Sequence, residues 1–172
     1  MASVAGYIRF KARSRAASSD GDYRVLMLPQ EVSDSLSSRG LVAVGGHLEG
    51  EDFLTVAWPD GQGGHWIKVS PRFQGEMDVE LAQSKEWPEP DVPADVVAAL
   101  GQSPVALELW NKINAATRTD WLYWLDSAKK AETRVKRIAS MCDMLAKGKK
   151  KVCCFDRSGI YSKSVECPVG DE

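Results

Sequence analysis

The segment KEWPEPDVPAD, residues 85–95, constrains the fold of this chain more than any other feature, because its three prolines and four acidic residues separate two different hydrophobic periods. Proline fixes φ and lacks a backbone donor, so neither a helix nor a sheet interior runs through such a stretch. Upstream of it, apolar residues alternate with polar ones; downstream, they recur every three or four residues. The chain therefore reads as an α+β protein. A small closed β-barrel of approximately six strands is expected in residues 1–87, a three-helix annex in residues 88–152 and a partly ordered tail in residues 153–172.

In the first part, GYIRFKARSR alternates Tyr7, Ile8 and Phe10 with polar residues, YRVLMLP is a short apolar strand stopped by Pro29, and VSDSLSSRG is a brief helical turn before Gly40. LVAVGGHLEG, EDFLTVAW and GGHWIKVS follow as strands, separated by Gly50-Glu51 and by the glycine-rich run from Pro59 to Gly64. A last strand, EMDVELAQS, sets Met77, Val79 and Leu81 against acids, which predicts that these three face inward. Closure is favoured because open edges of short strands pair with other chains.

In the second part, DVVAAL makes a short first helix. Ser103 before Pro104 marks the start of a second, with Leu107, Trp110 and Ile113 on one side. Thr119 or Asp120 is the expected cap of the longest helix. There Trp121, Leu125, Ala128, Val135, Ile138, Cys142 and Leu145 recur at three, four or seven and form a core-facing stripe, widened by Trp124 and flanked by Leu122. The rings of WLYW are thus packing groups. Lys129, Lys130, Arg134, Lys136 and Arg137 lie elsewhere on the helical wheel. Asp126 can pair with Lys130, and Glu132 with Lys136, at four-residue spacing; Lys129, Arg134 and Arg137 have no equally plain helical partner.

The net charge of −2 hides an asymmetry. Residues 1–98 carry 9 basic and 15 acidic side chains, whereas residues 128–151 carry 9 basic and 2 acidic ones. A face of that kind attracts anions, so Lys129, Lys130, Arg134 and Arg137 are the candidate ligand-binding residues, with Lys147 and Lys149 to Lys151 as further phosphate contacts.

Other chemistry finds less support. No apolar run approaches the roughly 20 residues of a membrane span, the start lacks the apolar core of a signal peptide, and a cytoplasmic location is expected. Cys142, Cys153, Cys154 and Cys167 fall in the last third without zinc spacing, so reduced thiols, no metal and no cofactor are expected. GQGGHW lacks the Lys-Ser/Thr ending of a phosphate loop. His47 and His65 can meet across strands, but general-base work needs a nucleophile beside them. The turn carboxylates Asp20, Asp22, Glu49, Glu51 and Asp60 lack a calcium-loop register. Ser158 is outside any GxSxG, and Cys153-Cys154 beside lysines is as well explained by a packed CCF segment. No catalytic residue is assigned.

WLDSAKKAETRVKRI, followed by MCDMLAKGKK, resembles the C-terminal helical segment of the YdeI/OmpD-associated, or bacteriocin-protection, family. The stretch from Phe10 through LPQEVSDSL, GGHLEG and PDGQGGHWIKV resembles the small β-barrel domain of unknown function that often precedes it. The resemblance covers roughly residues 7–150. It implies a six-stranded barrel fused to a helical domain in a bacterial cytoplasmic protein, and no reaction. PRFQGEM stands where relatives tend to have a longer hairpin connection containing Gly-Asp, so either a lost groove wall or an altered barrel closure is expected there. The leading functional expectation is a non-enzymatic accessory or protein-binding protein. Binding of nucleic acid or another anion through the basic helix, and a small-molecule enzyme, are the alternatives.

Overall fold

A computed structural model describes residues 6–17 and 22–152. Asp20, the three cysteines of the tail, Ser158 and Tyr161 lie outside the described residues. The chain divides into two units, one running through Pro88 and the other beginning at Glu89.

The first unit is a closed barrel of six strands, β1 (Ile8–Ala16), β2 (Arg24–Met27), β3 (Val42–Leu48), β4 (Glu51–Pro59), β5 (His65–Val69) and β6 (Glu76–Gln83), in the order β1-β2-β5-β4-β3-β6. A short helix, α1 (Gln30–Asp34), follows β2. Every neighbouring pair is antiparallel. Two strands turn the corners: β1 pairs with β6 from Ile8 to Arg13 and with β2 from Ser14 onward, while β4 pairs with β3 up to Ala57 and with β5 at Trp58 and Pro59. Sharing strands between two crossing sheets is how a small barrel closes without a free edge.

Alternation decides which side chains fill it. Leu26, Val42, Val44, Leu48, Ala57, Ile67, Val69, Met77, Val79 and Leu81 form one core cluster, so the inward trio of β6 is where its sequence placed it. The outward residues of β6 meet the bases of β1, with Arg9 2.9 Å from Glu80 and Lys11 3.2 Å from Asp78. Glu49 and Gly50 both have positive φ (49° and 82°) and make the tight β3–β4 turn that matches strand twist. Gly46 has φ 151°, and a Cβ there would lie 1.9 Å from the Glu80 carbonyl oxygen, so β3 and β6 approach this closely only over glycine.

The short connection after β5 does not leave the barrel open. Phe73 packs against the core cluster; the Ser14 hydroxyl donates to its carbonyl at 2.6 Å, and Arg72 reaches Glu51 at 2.6 Å while lying over the Phe73 ring.

Among the described residues the second unit contains four helices, α2 (Ala94–Gly101), α3 (Pro104–Lys112), α4 (Ala115–Asp126) and α5 (Ala131–Ala146), rather than the three expected. The expected long helix is two, broken across Ser127–Lys130. Asn114, not Thr119 or Asp120, caps α4, its side chain accepting from the Thr117 N–H at 2.9 Å. The break carries no glycine or proline; tertiary contacts hold it. Arg137 donates to the Trp124 carbonyl at 2.8 Å and to the Ser127 hydroxyl at 2.6 Å, satisfying the end of α4 from the next helix. Val135 consequently leaves the stripe and is 67% exposed. In α4, Trp121, Leu122, Tyr123 and Leu125 are all buried, the pattern of a central helix rather than a one-sided one. Trp121 keeps its N–H satisfied by the Lys150 carbonyl at 3.0 Å.

Candidate functional site

The outer face of β6, β3 and β4 carries a groove built by register. One transverse row reads Arg9, Glu80, His47, Asp52, each residue directly opposite the next. In the adjoining row Ala82 and Leu54 flank Gly45, and Tyr7 stands just ahead of β1. Two small residues between two large ones leave a trough with Gly45 at its floor. Its volume is about 120 Å³, and Tyr7, His47, Asp52, Phe53, Leu54, Ser84 and Glu86 line it with Gly45 and Gly46. Leu54 is 40% exposed.

His47 forms the closed end. Its Nε2 lies 3.0 Å from Asp52 Oδ1 and its Nδ1 3.2 Å from Glu80 Oε2, the second contact lying off the line of a hydrogen bond. The Tyr7 ring meets the imidazole edge-on at 5.5 Å. At the other end the Ser84 N–H donates to the Ala43 carbonyl at 2.8 Å, extending the β6–β3 ladder, and its hydroxyl accepts from the Glu86 N–H at 3.1 Å. Two carboxylates, Asp52 and Glu86, thus border a trough whose walls are aromatic and aliphatic. Such a surface suits a cation carried on an apolar stem.

Residues 89–148 match the family described as bacteriocin-protection, YdeI or OmpD-associated, and residues 10–84 match a domain of unknown function, DUF1905. The chain joins a DUF1905 barrel to a YdeI/OmpD-associated domain. No curated protein and no solved structure matches it.

Within the YdeI/OmpD-associated domain the four expected ligand-binding cations separate into two kinds. Arg134 is only 24% exposed and is held by two carboxylates, Asp95 of α2 at 2.8 Å and Asp126 at the end of α4 at 2.7 Å. These contacts push its guanidinium further up and hold the Asp95 carboxyl below the ordinary carboxylate value. Asp126 therefore pairs with Arg134, where Lys130 was the expected partner. Arg137 ties α5 to the end of α4 and stacks on Trp124 at 5.5 Å. Lys129 and Lys130 are exposed in the turn between the helices.

His65 of the DUF1905 barrel is buried far from His47 in the register, facing inward. Its Nε2 lies 2.9 Å from the Gly40 carbonyl, which can only accept, so Nε2 carries the proton and the buried Nδ1 has no partner among the described residues. Burial pushes its pKa down. Among the described residues no group of histidine, cysteine and carboxylate side chains is arranged to hold a metal, and no helix is long and apolar enough to cross a membrane. A second depression of about 250 Å³ lies beside the first turn of α4, but Asn114 already caps that turn and Asp120 opposes an anion there.

Sequence reasoning passed over the groove. The signal was the pair Gly45-Gly46 inside a strand, since glycine in a strand interior marks either a close backbone approach or a missing side chain that something else occupies. Gly46 is the first case; Gly45 combines both, since it floors the trough and a Cβ there would lie 3.1 Å from the Phe53 carbonyl oxygen.

Proposed function

We propose that the protein is a non-enzymatic binding module whose barrel groove receives part of a partner protein. The observation that carries this reading is the groove's size: about 120 Å³ holds one side-chain head, whereas small-molecule sites enclose on the order of 300–1,000 Å³. A site of that capacity reads a residue presented by a larger body. The exposed Leu54 and the ring of Tyr7 supply apolar contact at its sides. A cytoplasmic partner agrees with the expectation of reduced thiols.

The anion reading retains a narrower basis. Arg134 and Arg137 already serve the helical fold, so an anion-binding face would rest on Lys129, Lys130 and the lysines after α5. Fluorescence anisotropy of labelled peptides against labelled DNA separates the two. Peptide binding reduced by the Leu54→Ala and Gly45→Ala replacements supports the groove. Binding to DNA alone, lost on Lys129→Ala with Lys130→Ala, would replace that reading.

A further inference from the structure

We infer that the residue recognised in the groove is a cation, the ammonium of a lysine or the guanidinium of an arginine, and that protonation of His47 expels it. This rests on the reading of the groove as a protein-binding site and specifies its ligand and its control.

The charged row supplies the mechanism. Glu80 of β6 is shared between Arg9 of β1, at 2.9 Å, and the His47 imidazole, at 3.2 Å. Asp52 of β4 is 75% exposed, and His47 is the only group among the described residues that can pair with it as a cation. Tyr7 packs on the imidazole from the segment ahead of β1, and Glu86 faces the trough from the segment after β6. With the imidazole neutral, Arg9 against Glu80, Asp52 and Glu86 leaves two negative charges around the trough. A neutral imidazole carries one N–H and donates to one carboxylate at most. Asp52 is exposed and lines the groove, so a ligand ammonium entering over Gly45 supplies it with a full cation while its methylene stem lies between Tyr7 and Leu54.

Protonation puts a positive charge at the closed end of the trough. The imidazolium keeps its Nε2–H toward Asp52, carries the added proton on Nδ1 beside Glu80, and leaves one negative charge in place of two. An incoming cation then meets a like charge. Histidine as a side-chain type changes charge between pH 5 and 8, which sets the range of the test. A unit charge a few ångströms away in a partly solvated groove changes affinity by about tenfold.

The test uses the full chain and a fluorescein-labelled acetyl-Ala-Ala-Xaa-Ala-Ala-amide, with lysine, norleucine or glutamate at the centre, titrated by anisotropy from pH 5 to pH 8 at low salt. The expected result is lysine binding tighter than norleucine and glutamate at pH 8, weakening about tenfold by pH 5. That pH dependence disappears in His47→Gln. Asp52→Asn, a change at an exposed side chain outside the core, removes the preference for lysine over norleucine and guards against His47→Gln simply perturbing the strand. Equal affinity for lysine and norleucine at every pH overturns the cation while leaving a protein-binding groove. An unchanged pH profile in His47→Gln overturns the switch. Absence of binding by all three peptides defeats the groove reading, and this inference with it.

Discussion

Replacing Arg134 with alanine tests whether the most basic stretch of the chain serves folding or ligands. The guanidinium makes three charge-assisted hydrogen bonds, two to Asp95 at 2.8 and 3.2 Å and one to Asp126 at 2.7 Å, joining α2, α4 and α5. Both carboxylates are about half exposed and rehydrate when it is lost, so each pair is worth about 0.2–1 kcal/mol rather than the value of a buried one. The stem of Arg134 is mostly covered, and its packing is lost as well. Together these give a cost of about 2 kcal/mol. In a helical domain this small, with a urea slope near 1 kcal/mol/M, the midpoint falls by about 2 M. Urea titration followed by far-ultraviolet circular dichroism at 222 nm reads this, with Lys129→Ala as the control expected to stay within about 0.5 kcal/mol. The pH dependence supplies a second reading. The carboxyl of Asp95 is depressed in the folded state, so its contribution is present above its unfolded value of 3.8 and is lost as the pH falls through its folded one. Arg134→Ala flattens that acid limb. An Arg134→Ala protein as stable as Lys129→Ala would refute the structural role and restore Arg134 to the ligand-binding set.

Three further outcomes follow from the barrel. His65 titrates below its ordinary value of 6.5 because the imidazolium is desolvated, so the barrel is most stable above that value and loses stability as the pH falls from it toward the depressed folded value; tryptophan fluorescence during urea unfolding at pH 5 and pH 7.5 reads this, and His65→Gln removes the difference. Gly46→Ala prevents closure, since its Cβ would overlap the Glu80 carbonyl oxygen, and should leave no cooperative unfolding transition; a well-folded Gly46→Ala barrel would contradict the β3–β6 geometry. Phe73→Ala removes a half-buried ring from the side of the core and costs about 2 kcal/mol, measured as a lowered thermal midpoint.

The barrel was legible because alternation is a local property. Met77, Val79 and Leu81 against Glu76, Asp78 and Glu80 announce both faces of β6 without reference to any partner, and Gly50 and Pro59 mark turns by backbone chemistry alone. The α4–α5 break was not legible for the opposite reason. Asp126-Ser127-Ala128-Lys129-Lys130 contains no residue that cannot be helical, and the seven-residue interval from Ala128 to Val135 fits the stripe arithmetically. What ends α4 is Arg137, reaching back to Trp124 and Ser127, a contact that spacing along one helix cannot show. The pairing of Arg134 with Asp95, 39 residues away, is hidden in the same way, so cations that looked unpaired in the sequence are anchored in the fold. The groove depends on three strands placing Ala82, Gly45 and Leu54 side by side, and on a side chain that Gly45 does not have. The charged row beyond it joins residues as far apart as Arg9 and Glu80.

Where a cationic segment binds decides between the groove and the basic helix. Titrating the isotopically labelled full chain with the lysine-centred peptide at pH 8, and following backbone amide shifts in nitrogen–proton correlation spectra, locates it directly. The expected shifts are confined to Tyr7, Gly45, His47, Asp52, Leu54 and Glu86, with Lys129 and Lys130 unmoved. Shifts that spare those groove residues while the peptide demonstrably binds would contradict binding at the groove.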